Sequence, residues 1–334
     1  MKPALLLKST RANITEREHY GYVMVVDKNE NVISEVGNNN DEHFFMRSCA
    51  KPFQALPIIL SETFNNFNFS LKELAVCSAS HSGSKEHLST IRGILEKIGL
   101  NENKLQCGGH MPSDIATKND IIKNNSEITD IYNNCSGKHA GMLSVCVNNN
   151  WDIDTYLDFN HPLQLEILSV ADKYCNCNGI IDISIDNCST PMYGMHFAKM
   201  GAGYLRLFLS NEGTLLRKAF MENPVLIGGN GNLDTTLMEA TNGKLISKIG
   251  AEGLCITVNT EKEKALIVKA IDGNVNARSL ITIEALKQLG WLSEKDLNNE
   301  SLKKLDNRDV RSLKDKLVGD IRVMFDLSKE LILK

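Results

Sequence analysis

The sequence lacks an apolar run long enough to span a membrane, and the apolar residues near its N-terminus are too few for a secretory signal. It also lacks a strong charge of either sign, since its formal net charge is −4 and its pI is near 6.1. Nucleic acids and anionic membranes attract basic proteins, so neither is an expected partner. These absences lead us to expect a cytoplasmic protein.

Cysteine occurs in a number and pattern that do not suggest disulfide bonds. The nine cysteines are an odd number scattered between positions 49 and 255, unlike the dense, even pattern of a small disulfide scaffold. Cys175 and Cys177 are separated by one residue, which is the wrong spacing for a Cys-x-x-Cys zinc knuckle. We expect most of these cysteines to be reduced and several to be buried.

A serine and a lysine three residues apart, Ser48 and Lys51, begin an apolar run that predicts a helix. Residues at this spacing share a helix face, so Lys51 can reach back to Ser48 Oγ. A serine nucleophile needs a base beside it, and a buried lysine near another cation such as Arg47 gives up its proton more readily. By itself this short pattern also fits a capped helix start with a solvated lysine.

The predicted secondary structure changes character along the chain. Strand-prone segments cluster near the two ends, at residues 3–8, 22–27, 32–36, 245–249, 254–258 and 265–270, and residues 318–333 predict a last strand and helix. Amphipathic helical patterns fill the middle, and an Asn-rich loop is expected at 37–42. This pattern predicts an α+β fold with one antiparallel sheet built from both chain ends, flanked by helices, and a mostly helical insert.

Polar stretches interrupt the apolar elements and hold the other candidate residues. The most informative are CSASHSG from Cys77, CGGH from Cys107, NNCSGKHAGML from Asn133 and DNCSTP from Asp186. The stretch from Asn133 is expected to lead into a helix N-terminus, where free N–H groups favour anionic ligand groups.

Together with RSCAKPFQALP from Arg47, KIGAEG from Lys248 and VKAIDG from Val268, these stretches resemble the bacterial type II, Rhizobium-type L-asparaginases. The resemblance extends from about residue 11 to 290. It implies a fold similar to those of serine β-lactamases and serine-dependent glutaminases. It also implies hydrolysis of L-asparagine to L-aspartate and ammonia by a homodimer. We expect residues 1–334 to form a single catalytic unit, with a sheet lobe at 1–60 plus 240–334 and a helical lobe at 61–239.

The resemblance also implies two serine–lysine pairs. Ser48 would be the nucleophile with Lys51 as its base, and Ser80 would belong to the second pair. Lys248 is the preferred partner of Ser80 because Lys-Ile-Gly is similar to the Lys-Thr-Gly motif of penicillin-recognising enzymes, and Lys269 is the alternative.

Further roles follow from the resemblance and from the chemistry of the side chains. Cys135, Lys138 and Cys188 match positions associated with a zinc ion, although lysine is an unusual ligand and two buried thiols are a plain alternative. No organic cofactor is expected. The substrate's α-carboxylate or α-amino group is expected to be bound by the polar side chains of Arg47, Asn134 and His139.

Three other functions compete with this interpretation. The same mechanism acting on L-glutamine or another small amide is the nearest, because one methylene group changes specificity by only about 1–3 kcal/mol. A non-catalytic protein that binds zinc or an amino acid is the second. A penicillin-binding transpeptidase is the third, and the absence of an export signal disfavours it.

Overall fold

The computed structural model describes residues 2–37 and 42–327. The strands are β1 (Ala4–Arg11), β2 (Ile14–Asp27), β3 (Val32–Val36), β4 (His43–Phe45), β5 (Asp182–Ile185), β6 (Pro191–His196), β7 (Leu245–Ile249), β8 (Leu254–Asn259), β9 (Lys264–Ala270), β10 (Asp309–Arg311) and β11 (Leu317–Val323).

The helices occupy mainly the middle of the chain. They are α1 (Lys51–Ala55), α2 (Pro57–Leu60), α3 (Thr63–Asn66), α4 (Leu71–Cys77), α5 (Lys85–Lys97), α6 (Ile115–Asn124), α7 (Ser136–Asn148), α8 (Pro162–Cys175), α9 (Phe197–Leu209), α10 (Thr214–Glu222), α11 (Pro224–Gly228), α12 (Leu233–Ala240), α13 (Val275–Gln288), α14 (Glu294–Leu297) and α15 (Glu300–Leu305). Short 3₁₀ turns lie at Arg47–Ala50, Glu102–Lys104 and Asp130–Tyr132.

The main sheet joins the two ends of the chain. Its strand order is β10-β11-β1-β2-β9-β8-β7, with β3 paired to β2, and the neighbouring strands are antiparallel. N-terminal β2 lies directly beside C-terminal β9, with Val23 opposite Val268. The predicted α+β class, the antiparallel sheet from both ends and the helical insert are therefore confirmed.

The central strands are buried on both faces, which explains why their sequences read as continuous apolar runs. In β2, Tyr22, Met24 and Val26 belong to the core shared with the helical insert. The alternating residues Val23 and Val25 belong to a second core on the other face, under α13. Successive side chains of a strand point to opposite faces, so this one strand separates two cores.

Local signals set several helix boundaries. Ser70 caps α4 and Ser84 caps α5, each through a reciprocal capping box. Helix α7 packs very closely on α4, since a Cβ at Gly137 would lie 2.3 Å from the carbonyl oxygen of Val76. Only glycine allows this approach without a shift of the backbone, and α7 carries several candidate residues at its start.

Some expectations were incomplete. A small second sheet, with order β4-β6-β5, was not predicted, and residues 224–228 form helix α11 where a loop was expected. The last strand was predicted correctly, but most of the expected final helix, and residues 38–41 of the expected Asn-rich loop, lie outside the described residues. None of the helices in residues 2–37 and 42–327 combines the length and the apolar character needed to cross a bilayer.

Candidate active site

Ser48 lies on a 3₁₀ turn that leads directly into α1, so it precedes Lys51 by about one helical turn. Arg47, beside it, has a φ of +48°, a left-handed conformation that costs a residue with a Cβ on the order of 1 kcal/mol or more. The side chain of Ser48 is half-buried, and Ser48 Oγ makes no hydrogen bond within residues 2–37 and 42–327. The serine hydroxyl is therefore available to a ligand.

Ser80 lies between two buried lysine side chains. The amine of Lys51 donates to Ser80 Oγ at 2.9 Å, and the amine of Lys248 donates to the same atom at 3.1 Å. Ser80 is held in the loop after α4 by a hydrogen bond from its backbone N–H to the carbonyl of Ile227, at 3.0 Å. Lys248 comes from β7, so the two lysines reach Ser80 from opposite ends of the chain.

Lys51 is fully buried and surrounded by oxygen atoms. Its amine also donates to the carbonyls of Ala79, at 2.5 Å, and Asn134, at 3.4 Å. Burial lowers the pKa of Lys51, and the nearby cations Lys138 and Lys248 lower it further. Among the described residues no carboxylate forms an ion pair with Lys51. This lysine can therefore lose its proton and act as a base.

Two cavities meet at Ser48. The first, of about 230 Å³, is lined by Arg47, Cys135, Asp186 and Cys188. The second, of about 300 Å³, is lined by Ser80 and by residues of the segments around β7, α12 and α13. Ser48, His110, Asn134 and Ala251 line both. A small ligand in either cavity would thus lie against the hydroxyl of Ser48.

Arg47 is already paired inside the first cavity. Its Nε and Nη2 atoms both approach Asp186 Oδ1 at 2.9 Å, and its Nη1 atom lies 3.5 Å from Glu252 Oε1. The pair links the turn of Ser48 to the loop between β5 and β6. The pair places one carboxylate and one guanidinium beside the cavity, a combination suited to a zwitterionic ligand.

Two thiols and a lysine form a separate group beside the first cavity. Lys138 Nζ lies 3.0 Å from Cys188 Sγ and 2.8 Å from Thr190 Oγ1. The thiol of Cys135 donates to Asn134 Oδ1 at 3.3 Å. The interaction between the two thiols lowers the pKa of Cys188 and raises that of Cys135. Burial would lower the pKa of Lys138, but the two sulfur atoms raise it overall.

Three histidines, His81, His110 and His139, lie around these groups. His110 Nδ1 donates to the carbonyl of Met111, so its Nε2 accepts from the N–H of Asn134 at 3.1 Å. His81 is fully buried, and burial places its pKa well below the ordinary value. His139 Nδ1 lies 2.7 Å from the hydroxyl of Tyr156, while its buried Nε2 has no hydrogen-bond partner among the described residues.

Comparison with known proteins identifies the family of this chain. The chain matches the family described as L-asparaginase II over residues 7–323. It belongs to that family. No match was found among curated proteins. A solved β-lactamase structure from Mycobacterium bovis is similar at 15% identity with a TM-score of 0.37, covering 80% of this chain and 94% of that chain.

The donor chemistry of the thiol group fits the zinc ion that the resemblance to L-asparaginases implies. Thiolate and nitrogen ligands are those that zinc prefers, and Cys135, Cys188 and Lys138 supply two sulfurs and one nitrogen. Across residues 2–37 and 42–327, no three His, Cys, Asp or Glu side chains are arranged to hold a metal. The third group that the resemblance associates with the zinc is the amine of Lys138, which would have to bind in its neutral form.

The structure brings most of the predicted site residues into one region. Lys51 and Lys248 contact Ser80, and Ser48 lines the same cavity as Ser80, whereas Lys269 donates to the carbonyl of Glu252 instead. The predicted zinc-binding and substrate-binding residues line the first cavity or lie directly behind it, namely Arg47, Asn134, Cys135, Lys138, His139 and Cys188.

Sequence reasoning missed Asp234, which lies 3.4 Å from the amine of Lys248, and Arg278, which lines the second cavity. Each belongs to an ordinary helical pattern, so the sequence alone offered no signal for it. The partner of Arg47, Asp186, lay in a quoted stretch but was not singled out.

Proposed function

We propose that the protein hydrolyses the side-chain amide of L-asparagine to L-aspartate and ammonia through a serine ester. Membership of the L-asparaginase II family supports the hydrolysis of an amide. The serine–lysine chemistry is supported by one observation above all. Ser80 Oγ contacts two buried lysine amines at the edge of a cavity that Ser48 also lines.

In the first half of the reaction, Ser48 Oγ attacks the amide carbon and its proton passes to the neutral amine of Lys51. The C–N bond then breaks, and the nitrogen leaves as ammonia after receiving a proton from Ser80 Oγ. Lys248 replaces the proton on Ser80. The product of this half is an aspartyl ester on Ser48.

In the second half, a water molecule attacks the ester carbonyl and gives its proton to a neutral lysine amine. A protonated lysine amine donates a proton to Ser48 Oγ as the C–O bond breaks, and aspartate leaves. Ala251 lines both cavities, and its N–H has no hydrogen-bond acceptor among the described residues, so it can donate to the oxyanion in both halves.

The first cavity supplies groups suited to the amino-acid end of the substrate. Arg47 and Asp186 offer opposite charges, and Asn134 adds polar atoms. His139 lies buried behind this cavity, with an Nε2 atom that has no hydrogen-bond partner among the described residues. Zinc held by Cys135, Lys138 and Cys188 would fix the positions of these side chains beside the pocket. The homodimer, the cytoplasmic location and the division into lobes remain predictions.

The test is ammonia release from L-asparagine and, separately, from L-glutamine. The parent protein is compared with Ser48→Ala and Ser80→Ala after each variant is shown to fold. We expect release from asparagine by the parent and a loss of about 10³-fold or more in Ser48→Ala, because the nucleophile is gone. Ser80→Ala should retain some turnover, since it removes only proton transfer.

Other outcomes would change the proposal in defined ways. Release from glutamine at an equal rate would broaden the substrate to small amides. Full activity in Ser48→Ala with none in Ser80→Ala would move the nucleophile to Ser80. Binding of asparagine without release of ammonia, by folded and zinc-loaded parent protein, would contradict the proposal and favour a binding protein.

A further inference from the structure

A buried ion pair lies behind Ser80. Asp234 Oδ2 is 3.4 Å from Lys248 Nζ, and both side chains are 0% exposed. Asp234 stands in the first turn of α12, where the helix dipole favours a negative charge. Its Oδ1 atom accepts from the N–H of Thr235 at 3.0 Å, and its Oδ2 atom is 3.4 Å from the N–H of Ile249. The carboxylate is therefore held in one orientation, facing Lys248.

The two lysines that touch Ser80 thus have different partners. Lys51 faces two carbonyl oxygens and a hydroxyl, none of which carries a charge. Lys248 faces the same hydroxyl, the carbonyl of Ile249 and a carboxylate. A nearby carboxylate favours the charged form of a buried amine, whereas burial without one favours the neutral form. The difference suits one amine to accept a proton and the other to donate one.

We propose that Asp234 is a positioning residue that holds the amine of Lys248 against Ser80, so that Lys248 supplies a proton to Ser80 while Lys51 takes the proton of Ser48. This inference rests on the proposed amide hydrolysis. After acylation, Lys51 holds the proton of Ser48 and Lys248 has lost one through Ser80 to ammonia. A proton transfer from Lys51 to Lys248 across Ser80 Oγ, over 2.9 and 3.1 Å, restores both amines.

The other groups around Lys248 do not replace the charge of Asp234. The thiol of Cys49 donates to the backbone carbonyl of Lys248, and burial raises the pKa of Cys49 to about 12, so this thiol is neutral. Cys255, on β8, is also buried, and burial raises its pKa. Arg278, from α13, is cationic and donates to the carbonyl of Gly250, and Lys51, from α1, is the amine proposed to act as the base. Asp234, from α12, is the carboxylate that forms an ion pair with Lys248.

The fold leaves space for this carboxylate at one glycine. A Cβ at Gly228, at the end of α11, would lie 2.2 Å from Asp234 Oδ1. An alanine there would displace the carboxylate without removing its charge. Gly228→Ala is therefore a second way to disturb the ion pair.

The main experiment compares kcat and KM in the parent and in Asp234→Asn, which has nearly the same shape. Without the carboxylate, the amine of Lys248 is no longer held against Ser80. We expect kcat to fall by about 10-fold or more, with KM little changed. Gly228→Ala should lower kcat in the same way by less. An unchanged kcat in a folded Asp234→Asn would overturn the inference.

A double-variant comparison separates this role from damage to the fold. If Asp234 acts through Lys248, adding Asp234→Asn to Lys248→Met should leave the residual kcat unchanged within about twofold, because the shared interaction is already lost. A further tenfold loss would overturn the inference. This comparison remains informative if Asp234→Asn alone does not fold, since the double variant buries no unpaired charge.

The parent protein and Ser48→Ala distinguish the two proposals. Failure of the proposed function would appear as no ammonia from the parent or as full activity in Ser48→Ala. Failure of the role of Asp234 alone would appear as an inactive Ser48→Ala beside an Asp234→Asn with the parental kcat and KM.

Discussion

The active site has a serine side, around Ser48 and Ser80, and a thiol side, around Cys135 and Cys188. Each side buries a lysine, and the pKa of that lysine shifts in opposite directions on the two sides. On the serine side, Lys51 contacts neutral oxygens, and its pKa is lowered mainly by burial. On the thiol side, Lys138 is equally buried but lies 3.0 Å from the sulfur of Cys188, and its pKa is raised. The comparison teaches that the partner of a buried lysine, and not burial alone, decides whether its amine is neutral or charged.

The largest effect is expected on the serine side. Lys51→Met should lower kcat for asparagine by about 10²–10⁴-fold, because the general base is lost. The matched control is Lys269→Met. Lys269 is a half-buried lysine that also lies near the site, but it donates to the carbonyl of Glu252. Ammonia release at saturating asparagine measures both. An active Lys51→Met would remove the functional distinction between the two sides.

An intermediate effect is expected on the thiol side. Cys188→Ala should lose bound zinc. Its metal affinity or its activity should fall by about 10–100-fold or more, and its KM should change more than its kcat. Cys146→Ala is the control, because Cys146 is a buried thiol of α7 that lies outside the group. Elemental analysis of protein purified without chelators measures the metal. Parent protein that contains no zinc would contradict this prediction.

The smallest effect is expected from the close packing of α7, the helix that carries Lys138 of the thiol side, on α4. Gly137→Ala should lower the free energy of unfolding by about 1–3 kcal/mol, because its Cβ would collide with the carbonyl of Val76. Gly93→Ala, inside α5, has its nearest contact at 3.9 Å and should raise stability by about 0.5–1 kcal/mol. Thermal unfolding measures both. Equal shifts would show that the close approach of α7 to α4 is not required.

Much of the fold was predictable because its signals are local. The apolar runs of β2, β7, β8 and β9 and the capped starts of α4 and α5 appear in short segments of sequence. The β4-β6-β5 sheet was not predicted, since its strands are only three to six residues long and β4 lies far from β5 and β6 in the chain. Short strands take their stability from pairing with partners, which a single sequence does not reveal.

The candidate site also contains residues that the sequence predicted and residues that it did not. Ser48, Lys51, Ser80 and Lys248 were proposed from motifs and from the family resemblance, and they do lie together. Asp234 was not proposed, although it contacts Lys248 as closely as an ion pair requires. Nothing near Asp234 in the sequence distinguishes it from a surface acid in the first turn of a helix.

The sequence by itself determined the α+β pattern, the family and the residue types available for chemistry, because these depend on short-range patterns and motifs. Only the tertiary structure decided which lysine reaches Ser80 and which one acquires a carboxylate. Lys248 and Lys269 lie on neighbouring parts of the same sheet, yet their amines point to different partners. Protonation in a protein interior depends on contacts within a few ångströms, and folding brings those contacts together from segments far apart in the chain.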